Sequence, residues 1–318
     1  MHKGSIFFGK SINFAAKEQK KMSRSAKIWI ECMRVRTLPV SLSGVLIACG
    51  LAVWMGYWRW LPAVLCVVFA LLAQVASNFA NEYFDYLHGA DRAGRAGPRR
   101  GVTEGDIRPE TLRRVTIATI IAAAAVGCCL IPFGGWWLLP VGVVIVLAAL
   151  AYSAGPYPLS YHGLGEAAVF VFFGLVPVTL TYYVITLKTL PVVWLAAMSI
   201  GFLGVNVLLV NNYRDVDDDR AAGKRTSVVI FGRRPALAAY LINGFVAVGL
   251  LSPLWLLAVM GEGLSRWTLL VPAGYLVLHT IATVQLHRRD GTALNPLLGA
   301  TARNMLLFTI GLTIALVI

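Results

Sequence analysis

Charge is scarce in this sequence, and acidic charge most of all. Of 318 residues, 14% are charged and only 15 are Asp or Glu, where a soluble globular domain carries roughly 25% charged residues. With 58% hydrophobic residues, a water-soluble chain of this length could not hide its apolar surface. A soluble fold is excluded, and the excess must face lipid. Cysteine is sparse too. Cys32, Cys49, Cys66, Cys128 and Cys129 form no CxxC pair, and four of them lie in apolar runs. Nothing in that pattern suggests a disulfide framework or a zinc site. There is no glycine fingerprint for nucleotide phosphates, since Gly94-x-x-Gly97 follows no strand. No nucleophile–base pair appears either.

What is present is a series of apolar runs at about 38–58, 60–83, 111–132, 136–153, 164–187, 190–212, 236–260, 267–286 and 298–318. Each is near the ~20 residues that cross a hydrocarbon core as a helix. The expected fold is an all-α integral membrane bundle of about nine transmembrane helices over residues 28–318. Residues 1–27 read as a basic, disordered tail, with Met22 offering a second start; they lack the apolar core and cleavage site of a signal peptide.

The net charge of +13 does not point to nucleic acid, because the basic residues sit in short loops between apolar runs. With the N-terminus inside, 25 of the 28 Lys and Arg fall in inside segments, leaving only Arg59, Lys188 and Arg266 outside. Positive charge stays on the cytoplasmic side of membrane proteins. The count therefore predicts a cytoplasmic N-terminus, and it also suits an anionic lipid surface.

The few acidic residues are clustered. Asn78, Asn81, Glu82 and Asp85 close the second apolar run three or four residues apart, so a helix puts them on one face. Asp91 follows in a loop. Asn212, Asp215 and Asp219 close the sixth run in the same way. Carboxylates beside a hydrocarbon core are costly and mark function. Facing clusters of like charge need a cation between them, and hard oxygen ligands suit Mg²⁺, which is held by a few carboxylates plus substrate phosphates. The pattern predicts a Mg²⁺–diphosphate site at the membrane surface. Arg92, Arg95, Arg99 and Arg100 follow the first cluster; Lys224 and Arg225 follow the second. Together with Arg214, and with Arg34 and Arg36 before the first run, they are candidates for phosphate oxygens. The bland reading of most loop arginines is topology, and that of Asp217 and Asp218 is solvated charge.

Asn81-Glu82-x-x-Asp85 with Asp91, and Asn212-x-Arg214-Asp215-x-x-x-Asp219-x-x-x-Gly223-Lys224-x-Thr226, resemble the two Asp-rich motifs of the UbiA-type intramembrane prenyltransferases. Arg36-Thr37-Leu38-Pro39, Asp91-Arg92, Gly97-Pro98-x-Arg100, Gly155-Pro156 with Pro158, and Gly163-Leu164-Gly165-Glu166 resemble the 1,4-dihydroxy-2-naphthoate polyprenyltransferase branch. The likeness covers about residues 28–318. One departure is Glu82, where members often have Asp; it leaves open whether Glu82 touches metal.

The resemblance implies a multi-pass protein of the bacterial inner membrane with its active site facing the cytoplasm. It implies polyprenyl diphosphate and 1,4-dihydroxy-2-naphthoate as substrates and demethylmenaquinol as product, with Mg²⁺ held by Asn78, Asn81, Asp85, Asp91, Asn212, Asp215 and Asp219. Asp85, Asp91, Asp215 and Asp219 would be catalytic, and Arg36, Arg92, Arg95, Arg100, Arg214 and Lys224 would bind diphosphate. Tyr83, Tyr152 and Glu166 are candidates for acceptor binding or for stabilising an allylic cation through π faces; for Glu166 the first reading is a helix cap. The loop 86–110 is expected to act as a lid. The rival readings are another acceptor (4-hydroxybenzoate, homogentisate or haem), a cation-coupled transporter using membrane carboxylates, and a lipid-binding structural subunit.

Overall fold

Within lipid a backbone must satisfy its own hydrogen bonds, so long apolar runs become helices. The computed structural model describes residues 25–92 and 94–318, and no strand occurs among the described residues. Helix α1 covers residues 25–33, so the last three residues expected in the tail are helical. The rest of that tail, and Met22, lie outside the described residues. Then follow α2 (Leu38–Trp54), α3 (Trp60–Leu87), α4 (Pro109–Cys128) and α5 (Leu138–Ala151). Next come α6, spanning Gly165–Thr186, α7 (Pro191–Ala221), α8 (Arg233–Leu250), α9 (Ser252–Met260), α10 (Leu270–Arg288) and α11 (Asn295–Val317).

All nine apolar runs are helical, but not all are straight spans. Among the described residues, seven helices are long and apolar enough to cross a membrane, or eight where the pair α8 and α9, bent by 49°, counts as one broken span. Pro253 opens α9, and a proline cannot continue the hydrogen bonding of the preceding turn. The run at 136–153 yields only the 14 residues of α5, short of the ~20 a crossing needs. None of its side chains is buried, so it lies at the edge of the bundle.

Helix α7 lies at the centre, with two thirds of its apolar window buried. Small residues let its neighbours close on it, as is common between membrane helices. A Cβ added at Gly174 of α6 would stand 2.3 Å from Gly201 Cα and 2.7 Å from Ala197 O. At this contact α6 is locally a π-helix, Phe170–Leu175, a distortion frequent at functional sites. Both α3 (28 residues) and α7 (31 residues) outlast their apolar portions and carry polar residues to one end of the bundle.

Candidate active site

Along α3, the residues Gln74, Ser77, Asn78, Asn81 and Asp85 line one polar cavity of about 170 Å³. Along α7, the residues Gly204, Leu208, Asn211, Asn212, Asp215 and Asp219 line its other side. Both sets recur every three or four residues, the spacing of a helix face. Past α7 the chain reverses at Gly223, whose φ of +74° suits glycine at a helix C-terminus. The turn sends Lys224 back into the cavity. Thr226 then caps the short helix Ser227–Phe231, accepting from Val229 N.

Most of the carboxylates are matched by cations of the chain itself. Lys224 Nζ donates to Asp85 Oδ1 at 2.9 Å and lies 4.7 Å from the Tyr161 ring centroid. Tyr161 also donates its hydroxyl to Asp85, at 3.1 Å. Arg214 grips both oxygens of Asp215 at 2.7 Å. Arg95 bridges the two motifs, bonding Asp91 and, at 2.8 Å, Asp215. Arg100 Nε stands 3.0 Å from Asp91 Oδ2. The side chain of Asp219 makes no hydrogen bond or ion pair among the described residues, although only 8% of the residue is exposed. Burial works against the Arg95 cation, but Asp215 and Asp91 outweigh it and hold its pKa above the ordinary value. Burial, then Asp85, holds the Tyr161 phenol well above its usual range, so Tyr161 is a hydroxyl donor.

This donor set fits Mg²⁺ in the way that ion is usually bound. The cavity offers carboxylate and amide oxygens and no sulfur or imidazole. Among the described residues no three Asp, Glu, His or Cys side chains converge as a ready-made cage. A few carboxylates with substrate phosphates completing the shell is the arrangement Mg²⁺ favours.

A second cavity, about 440 Å³ and lined almost wholly by apolar side chains of α3, α4, α5 and α6, adjoins the first. Gln74, Ser77, Tyr152, Val169 and Phe173 line both. The profile of the UbiA prenyltransferase family matches residues 41–314. This chain belongs to the UbiA prenyltransferase family.

Within the UbiA family, the chain is 33% identical to 1,4-dihydroxy-2-naphthoate octaprenyltransferase of Escherichia coli, over 91% of this chain and 94% of that one. It is 32% identical to the enzyme of the same name from Mycobacterium tuberculosis, covering 91% and 96% of the two chains. The solved structure of a UbiA homolog from Archaeoglobus fulgidus bound to DMAPP and Mg²⁺ shares the fold, with a TM-score of 0.62 at 17% identity over 91% of this chain and 99% of that one.

The UbiA motif residues do not all point into the cavity. Asn78, Asn81, Asp85, Asn212, Asp215 and Asp219 do, as do Arg95, Arg100, Lys224, Tyr152 and Glu166. Asp91 is buried beside it, engaged by Arg95 and Arg100. Arg36 and Arg92 are exposed and off the cavity; Arg34, bent inward by a left-handed backbone (φ +52°), takes the place expected for Arg36. Arg214 turns behind Asp215 and bonds Asn295 Oδ1 at 3.0 Å. Tyr83 packs edge-on against Phe84, outside the cavity. Glu166 makes no capping hydrogen bond but lies in the first turn of its helix, where an anion is favoured; its Oε1 accepts from Asn212 at 2.9 Å and from Ser227.

The loop after α3 is no uniform lid. Arg100, Gly101, Val102 and Ile107 are buried, while its tip is latched at Ala96, whose N–H donates to Asp218 at 3.0 Å and whose carbonyl accepts from Asn295 at 3.1 Å. Asn295 and Phe173 belong to no sequence motif. Asn295 is one polar residue at the start of an apolar helix, and Phe173 is one aromatic among several in α6. Only packing singles them out.

Proposed function

We propose that this protein transfers a polyprenyl group from polyprenyl diphosphate to 1,4-dihydroxy-2-naphthoate, the ring carboxylate leaving as CO₂. The observation that carries this is the junction of the two cavities. A charged chamber suits a metal-complexed diphosphate, an apolar chamber beside it suits an isoprenoid tail, and Tyr152 and Phe173 line both at their junction, where the reactive carbon would lie. The acceptor is supported by the names of the relatives from Escherichia coli and Mycobacterium tuberculosis. Those names also disfavour the transporter and structural readings.

Asp85, Asp215 and Asp219, with the amide oxygens of Asn78, Asn81 and Asn212, would hold Mg²⁺ against the diphosphate. When bound, the ion neutralises charge on the leaving group. Asp91 lies behind the arginines and holds Arg95 and Arg100 in place. Arg34, Arg95, Arg100 and Lys224 bind the remaining phosphate oxygens through charge-assisted hydrogen bonds. The bond between the diphosphate oxygen and the allylic carbon breaks, and its electron pair leaves with diphosphate. The π faces of Tyr152 and Phe173 flank the allylic cation and stabilise it. The electron-rich ring carbon bearing the carboxylate attacks, and loss of CO₂ returns an electron pair to the ring. The apolar chamber keeps water from the cation. Glu166, fixed by Asn212 and Ser227, orients the acceptor. The distribution of Lys and Arg supports a charged end that faces the cytoplasm, and the bacterial relatives support the inner membrane.

The test is turnover of the purified protein with Mg²⁺, polyprenyl diphosphate and 1,4-dihydroxy-2-naphthoate, with 4-hydroxybenzoate in parallel and EDTA as control. Metal-dependent prenylated naphthoquinone with CO₂ release is expected. Prenylation of 4-hydroxybenzoate alone would overturn the acceptor, and no product with either would overturn the reading.

A further inference from the structure

Like Asp91, Glu82 of the first motif does not line the cavity. Glu82 lies on the flank of the α3 stripe, fully buried, and faces α1 and the loop after α3. Its Oε1 accepts the backbone N–H of Val102 at 3.2 Å and the thiol of Cys32 at 3.5 Å. No cation pairs with it among the described residues, and its Oε2 is buried without a hydrogen bond. A buried polar atom without a partner is expensive, so this carboxyl calls for a reason other than packing.

The surroundings supply one. Cys32, Phe79, Val102, Ile107 and Leu112 form a small core of their own. The loop enters it without slack, since a Cβ on Gly101 would stand 2.9 Å from Cys32 Sγ and 3.0 Å from Ile107 Cδ1. Immediately before Gly101 comes Arg100, set against Asp91. Five residues earlier comes Arg95, which joins Asp91 to Asp215. Wherever the root of the loop is held, these two guanidinium groups are placed.

We propose that Glu82 is a positioning residue, not a metal ligand: it anchors the loop root at Val102 so that Arg95 and Arg100 reach the diphosphate chamber. The length of glutamate is what this needs. Cutting the side chain by one methylene withdraws the carboxylate by about 1.5 Å and carries the 3.2 Å bond to Val102 out of hydrogen-bond range. Glutamine keeps both the length and the acceptor. The anchor therefore ranks Glu82→Gln above Glu82→Asp, and a metal ligand ranks them the other way.

The experiment compares the full chain, wild type, Glu82→Gln and Glu82→Asp, in two assays. The first is trypsin cleavage at Arg99, whose side chain is 44% exposed. Glu82→Asp is expected to be cut about tenfold faster than wild type, matching the loss of one buried hydrogen bond, and Glu82→Gln at nearly the wild-type rate. The second rests on the prenyl-transfer reading: KM for polyprenyl diphosphate rises about tenfold in Glu82→Asp while KM for the naphthoate stays put. Restoration by Glu82→Gln completes the signature. Should Glu82→Asp fail to fold, Gly101→Ala disturbs the same root and is expected to show the same rise and the same cleavage. Wild-type cleavage in the shortened or crowded variant, or Glu82→Asp outperforming Glu82→Gln, overturns the anchor. A wild type that transfers no prenyl group sinks the functional reading alone, because the cleavage assay still decides on Glu82.

Discussion

Asp219 separates the chemistry of the site from its stability, because its side chain has no ion pair to lose. Replacing Asp219 by Asn removes one negative charge from the cavity and leaves no chain cation uncompensated. A unit charge about 4 Å from a cation is worth about 4 kcal/mol at the effective dielectric of a partly buried site. If the carboxylate faces the metal and the developing diphosphate charge, that is about a thousandfold in rate, at tenfold per 1.36 kcal/mol. The assay is kcat/KM for prenyl transfer at saturating Mg²⁺, read together with the melting temperature of the same preparation in detergent. Expected is a loss of about 10³ in rate with the melting temperature unchanged. A rate within tenfold of wild type would refute the placement of Asp219 at the reacting charge. A large fall in melting temperature would refute its lack of structural partners.

Asp215→Asn should behave differently, because it strands the Arg214 guanidinium, which is 1% exposed; a loss of about 3–5 kcal/mol of stability is expected, and unfolding at the wild-type temperature would contradict it. Phe173→Ala, removing one π face at the cavity junction, should lower kcat about 2–30-fold, the range of a cation–π contact of ~0.5–2 kcal/mol, with KM for the acceptor unchanged. Gly174→Ala should cost at least about 1–3 kcal/mol by overpacking against Gly201; full stability of that variant would mean the two helices are not in contact there.

The helices and the two acidic ends were legible from sequence because both rest on periodicity. Apolar run length gives the spans, and steps of three and four along α3 and α7 give the cavity-lining stripes. What periodicity cannot give is phase. Residues 78, 81, 82 and 85 share a broad face, yet that face is wide enough to serve two neighbours. Packing of α1 and the loop root takes Glu82 to one flank and leaves Asn81 and Asp85 to the cavity. Likewise Arg214 stands one position from Asp215, about a quarter turn away, and so supports that carboxylate from behind. Arg34 and Arg36 could not be told apart without the left-handed turn at Arg34. The short, uncovered α5 and the bend at Pro253 were hidden because composition alone does not report how far a helix runs.

The pairing of Asp85 with Lys224, of Asp215 with Arg214, and of Asp91 with Arg95 and Arg100 bears on how such a protein is made. Small metal-nucleated domains collapse when their ion is stripped, because the ion supplies the folding free energy. Here the chain carries its own counter-ions, so the ends of α3 and α7 can close on one another as soon as both are threaded into the bilayer. Insertion, quality control and metal supply become separate events. On the proposed Mg²⁺-dependent reading, a chelator is expected to silence the protein without condemning it, with activity returning on re-addition of the ion and no new synthesis.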